Sequence, residues 1–177
     1  MSKTIVIMIL AFALLGVSSV QAGMGTKVTL RYDPFEVRGM ARPGIPTVIL
    51  GQAADGADAG AVRALLHVPS WLGSTTFVDA GPSTSGHRLV FILNPSDPVA
   101  AKRDVCGQVG GLGLAQPGPR LTIRAAYCIG DKMVSRVTAV ERPVSGPDDP
   151  RLRKLLRRIV DGLLPRTSRA QYNPPGL

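Results

Sequence analysis

The chain has 177 residues and a formal net charge of +9, with 21 Lys and Arg against 12 Asp and Glu. Once a leader is set aside, residues 23–177 are enough for one compact core and too few for two domains. The charge is local: residues 151–177 hold seven cations against Asp161 alone, so the basicity belongs to one segment and not to the whole domain.

Residues 1–22 have the three parts of a secretory signal: Lys3, an apolar run from Ile5 to Val17, and the small-residue exit Val20-Gln21-Ala22. Cleavage is expected between Ala22 and Gly23. The apolar run falls short of the roughly 20 residues that span a bilayer, and no second run of spanning length follows, so an integral membrane protein is not expected after signal removal. A lipid anchor would need a cysteine at position 23, where this chain has glycine. The richness in Ala, Gly, Pro and Arg points to a bacterial chain, hence to the periplasm ahead of the extracellular medium.

Beyond the leader, alternating or apolar runs predict strands at 27–32 ("KVTLRY"), 47–51 ("TVILG"), 74–79 ("STTFVD") and 88–93 ("RLVFIL"), the last of them the most central. Between the second and third, "DAGAVRALLHV" repeats apolar residues at helical spacing until Pro69 stops it, which predicts a short helix. Trp71 follows and is read as a cap on the core, with a binding edge as the alternative.

In an exported chain a solitary cysteine pair reads first as a disulfide, and Cys106 with Cys128 is the only intrachain choice. A zinc site using His67 and His87 fails on spacing, because none of the four residues lies two to four positions from another. The glycines between the cysteines, Gly107, Gly110, Gly111 and Gly113, match neither the dinucleotide nor the P-loop order. Pro117, Pro119 and a strand follow them, so no helix N-terminus waits for a phosphate. The segment reads as a connection stapled at its base, and no cofactor is expected.

The segment "RLTIRAAYCIGDKMVSRVTAVER" then predicts a hairpin turning at Gly130-Asp131, a Gly-X pair suited to a type II′ turn. Its core face is expected to carry Leu121, Ile123, Ala125 and Tyr127 with Val134 and Val140, leaving Cys128 on the opposite face. The last element, "DDPRLRKLLRRIVDGLLP", spaces Leu152, Leu155, Leu156, Ile159, Val160, Leu163 and Leu164 along one helical stripe. Asp149 is the expected N-cap, Pro150 the first helical residue and Pro165 the stop. Residues 166–177 have too little apolar content to pack and are read as a mobile tail.

The fold class that follows is α+β: a mostly antiparallel sheet of about six strands in the order β-β-α-β-β-β-β-α, both helices on one face, within a single domain at 23–165. Catalytic motifs are missing. "GPSTSG" at 81–86 is displaced from a nucleophile elbow, no H-E-x-x-H occurs, and the acids Asp33, Glu36, Asp79, Asp97, Asp104 and Asp131 are scattered through turns. Ser83 and Ser85 precede His87 closely, yet near neighbours in sequence seldom build a triad.

A non-catalytic envelope or periplasmic binding or assembly accessory is therefore expected. The outer cations of the last helix, Arg151, Arg153, Lys154, Arg157 and Arg158, are its candidate surface for an envelope protein, an anionic lipid or a glycolipid. The alternatives are a peripheral binder of anionic lipid or glycolipid through that helix, and a hydrolase of unrecognised type. Nucleic acid is not expected, since export removes the chain from it and the basic element has no aromatic residue for stacking. Intact-mass analysis of the exported chain checks both covalent expectations: it should begin at Gly23 and lack the two hydrogens of a dithiol.

Overall fold

The computed structural model describes residues 25–28, 34–97, 100–101, 105–107 and 109–166. The expected leader with its Ala22–Gly23 junction, and the tail past Arg166, lie outside the described residues. In chain order the elements are β1 (Gly25–Val28), α1 (Pro34–Met40), β2 (Ile45–Leu50), α2 (Ala59–Ala64), β3 (Phe77–Asp79), β4 (His87–Leu93), β5 (Leu121–Ile129), β6 (Lys132–Glu141) and α3 (Pro150–Leu163). Short 3₁₀ turns occupy Ser70–Leu72 and Val109–Gly111.

The chain is α+β, its strands forming one sheet in the order β1-β6-β5-β4-β2-β3. The sheet is mixed. β4, β5, β6 and β1 pair antiparallel along one side, whereas β2 runs parallel to both β4 and β3. Parallel pairing arises because the link from β2 to β3 passes through α2 and a 3₁₀ turn, which returns the chain to the end where it started. Helix α1 is a second departure from the expected order. Its seven residues include Gly39 and are followed by Pro43 and Gly44, so the segment reads as a turn, and only Val37 with Ala41 just beyond marks a buried side.

Helix α2 stops at Ala64 instead of running on to Val68, with Leu65 as its C-cap. Pro69 disfavours helical geometry in the residue before it. Asp58 caps the other end by accepting from the Ala61 amide at 2.9 Å.

The sheet is covered on both faces. On one face Leu89, Phe91 and Leu93 of β4, Leu121, Ile123, Ala125 and Tyr127 of β5 and Val137 and Ala139 of β6 pack with all three helices. On the other, Val48, Val90, Ile92, Ala126 and Cys128 meet Ala101, Val105, Cys106 and Val109. A disulfide joins Cys106 to Cys128 and holds that second cover down.

The β5–β6 hairpin turns at Gly130-Asp131, with φ +57° at Gly130, the first central position where a Gly-X turn needs it. Its register slips by one residue: Tyr127 faces Ser135 while Cys128 faces Met133, leaving Val134 as the extra residue of a bulge. Beyond the bulge the inward positions are Ser135, Val137 and Ala139. The expected core position of Val140 is therefore corrected: it is half-buried and stands outside the main cluster. Strict period-two counting failed because a bulge flips the side chains that follow it.

Helix α3 is set by its apolar stripe. Leu152, Leu156, Ile159, Val160 and Leu163 are fully buried, and Leu155 nearly so. Each contributes about 1.5–3 kcal/mol relative to exposure. Both ends are satisfied by side chains. Asp149 accepts from the Arg151 amide at 2.9 Å, with Pro150 at the first helical position. At the far end Ser135 Oγ donates to the Leu163 carbonyl at 2.7 Å and Trp71 Nε1 to the Leu164 carbonyl at 3.1 Å. Those two bonds fill carbonyls that the helix leaves open, and they place Trp71 against the core. Leu156→Ala should lower unfolding free energy in urea by about 2–5 kcal/mol. The pair Arg153→Gln and Arg157→Gln should change it by no more than about 0.5 kcal/mol each.

Candidate functional site

The helical register that buries the α3 stripe turns Arg151, Arg153, Lys154, Arg157 and Arg158 outward, and all five are exposed. The structure brings them together on one face, but their surroundings differ. Arg151 grips the capping Asp149, Nε to Oδ1 at 3.0 Å and a terminal nitrogen to Oδ2 at 2.6 Å. Arg158 lies 3.8 Å from Glu141 at the end of β6. Arg157 approaches Nε2 of His67 at 3.4 Å. Arg153 and Lys154 form no ion pair among the described residues. The surface offers charge without an apolar contact, because the leucines beneath it are spent on the sheet.

Asp149 is the best-satisfied carboxylate in this region. Besides the Arg151 contacts it accepts from the Ser145 amide at 3.1 Å. The hydrogen bonds of Arg151, side chain first and then backbone, hold its pKa well below the usual carboxylate range, and the same contacts raise the pKa of Arg151. Helix start and preceding loop are thereby locked into one unit. Its surroundings, lined by Asp55, Pro147 and Asp148, form a broad, open depression.

The two histidines have different neighbours. His67 is exposed beside Arg157. His87, at the start of β4, has its Nδ1 2.7 Å from the Tyr127 hydroxyl near the end of β5. Their ring centroids are 5.9 Å apart. This pair borders a small recess of about 20 Å³ under α1, walled by Val37, Met40, Ile45 and Leu164. Sequence reading had taken Tyr127 as core alone. It is 3% exposed, and the hydroxyl contact becomes visible only when the β4–β5 register sets Leu89 opposite Tyr127, with His87 one diagonal away.

Ser83 and Ser85 lie exposed in the turn before β4. The imidazole and phenol lie within hydrogen-bonding distance of each other, and apolar side chains wall the recess beside them. Among the described residues no three of His, Cys, Asp and Glu gather as metal ligands. Of the acids expected in turns, Asp79 instead ends β3 and pairs with Arg63, Glu36 falls within α1, and Asp131 is exposed in the hairpin turn, whereas Asp33 and Asp104 lie outside the described residues.

The cystine positions a cover and presents no reactive thiol, since both sulfurs are used in the bond. Arg88 of β4, 2% exposed, fastens the same region by donating to the carbonyls of Gly130 at 2.9 Å and of Cys106. Sequence reading missed this role, because an arginine opening an apolar strand looks like a boundary residue. No helix among the described residues is long and apolar enough to cross a membrane. No protein-family model, curated protein or solved structure matches the chain.

The cap at Asp149 gives a pH dependence of defined sign. Its folded pKa lies below the unfolded value of about 3.9, so its stabilisation is complete above that value and is lost as pH falls toward the folded pKa. Urea midpoints measured from neutral to acid pH should show wild type above Asp149→Asn at neutrality, with the gap narrowing below about pH 4.

Proposed function

We propose that the chain is an exported, non-catalytic accessory of the bacterial envelope that holds an acidic partner protein against the outer face of α3. The observation that carries this reading is the division of labour on α3. Its apolar stripe is buried in the sheet, while Arg153, Lys154 and Arg157 stand outward on a helix whose two ends are fixed. A rigid row of cations with no apolar rim favours steering and register over deep burial of a ligand. The tripartite N-terminal segment supports export, and the chain then meets envelope partners instead of cytoplasmic polyanions.

Anionic lipid or glycolipid is the second reading, resting on the same cations. With the stripe occupied, such binding would be electrostatic alone, worth about 1 kcal/mol per cation near the surface and weakened by salt.

A photo-crosslinking residue placed at Lys154 in living cells separates the two. The expected result is a discrete protein adduct that disappears when Arg153→Glu and Arg157→Glu are added, with the urea midpoint unchanged. Purified protein should bind phosphatidylglycerol vesicles only weakly at physiological salt. Strong vesicle binding lost on the same reversals would move the function to lipid, and the absence of both adduct and vesicle binding would overturn the proposal.

A further inference from the structure

Among the described residues, the cystine-linked segment packs on one part of the second face of the sheet. Its apolar contacts run from Val48 of β2 across β4 to Ala126 and Cys128 of β5, with Met133 of β6 packed at the margin near the hairpin turn. Farther along β5 and across β6 the character changes. Thr122, Arg124, Arg136 and Thr138 are all half-buried. Register fixes their arrangement: Arg124 is directly opposite Thr138, and Ala126 opposite Arg136. The two arginines are diagonal neighbours on one face, where backbones lie about 7–8 Å apart and long side chains reach a common point. Lys27 of β1 occupies the register position opposite Arg136.

Two arginines at diagonal register positions both keep their charge, because arginine does not discharge in a protein, and an anion between them would relieve their repulsion. The ion pairs among the described residues use Arg63, Arg151 and Arg158, and neither Arg124 nor Arg136. Glu141 of β6 is turned to Arg158 of α3, which packs against the other face. Arg88 shares the second face but spends its terminal nitrogens on carbonyls. Arg124 donates to the Thr138 hydroxyl, leaving that hydroxyl its own hydrogen for another acceptor. Nε of Arg124 is buried without an acceptor, as are those of Arg63 and Arg88. Burial first, and the charge of Arg136 second, lower the pKa of Arg124, the direction expected of a cation lacking its anion.

We propose that Arg124, Arg136 and Thr138 form a binding site for a phosphate group on the sheet face opposite α3. Two planar forks and one hydroxyl on neighbouring register positions offer more donors than one planar carboxylate can accept, which suits a tetrahedral oxyanion with several equivalent oxygens. The site is separate from the α3 surface and does not depend on it. The phosphate is either free or carried by a lipid headgroup, and the chemistry of recognition is the same.

Titration calorimetry and thermal unfolding of the mature protein with inorganic phosphate, against sodium chloride of matched ionic strength, test the site. Vesicles of phosphatidic acid in phosphatidylcholine provide the second arm. Saturable phosphate binding is expected, weakened at least tenfold by Arg136→Gln and by Arg136→Lys, which keeps charge but loses the fork, and unchanged in the hairpin-turn variant Lys132→Gln. Arg124→Gln should behave like Arg136→Gln. If it fails to fold, the two Arg136 variants decide alone. Binding confined to phosphatidic acid vesicles, and lost in those variants, assigns the phosphate to a lipid. The site is overturned if phosphate acts no differently from chloride and vesicles do not bind. It is equally overturned if binding survives every substitution, or is lost only on Arg153→Glu with Arg157→Glu.

Discussion

Five successive residues of β4, Leu89 to Leu93, are fully buried, and their side chains alternate between the two faces of the sheet. A strand apolar on both sides cannot leave either face in water, so the chain must supply two covers. Three helices supply one, gathered by Leu89, Phe91 and Leu93. The segment around Cys106 supplies the other, over Val90 and Ile92. The position of β4 between β5 and β2 follows from the same demand, since only an interior strand has both faces protected along its length.

The two covers are held by different physics. Helix α3 brings a continuous stripe of aliphatic side chains, and its contact with β5 and β6 is self-supporting once the ends are capped. Among the described residues the opposite cover contributes few large apolar side chains, chiefly Val105 and Val109 with the partly buried Leu112. Burial of that size is weak, and a covalent tie to Cys128 together with the Arg88 bonds to backbone carbonyls compensates. Closing a loop of this size by a disulfide is worth about 3 kcal/mol in the chain-entropy model.

Function is placed by what these covers leave over. On the helical side the buried stripe forces the cations of α3 outward, producing a basic exterior with no apolar rim. On the other side the apolar cluster gives way to Arg124 and Arg136, which are half-buried and form no ion pair among the described residues. The His87–Tyr127 contact sits at a third location, beneath α1, and closes one end of the main core.

Much of this was legible in the residues themselves. The boundaries and buried face of α3, the Gly130-Asp131 turn and the opposition of Cys128 to the Leu121–Tyr127 face depend on patterns within about a dozen residues, and local periodicity records them. Helix α1 was illegible because seven residues containing a glycine offer too few turns to show a period. Val140 was misplaced because a bulge at Val134 changes side-chain parity without changing composition. The parallel pairing of β2 with β3 and β4, the meeting of His87 with Tyr127 and the diagonal placement of Arg124 and Arg136 all depend on which strands become neighbours. That choice is made by the burial of the whole sheet between its covers, an energy summed over residues far apart in sequence, so only the tertiary structure decided it.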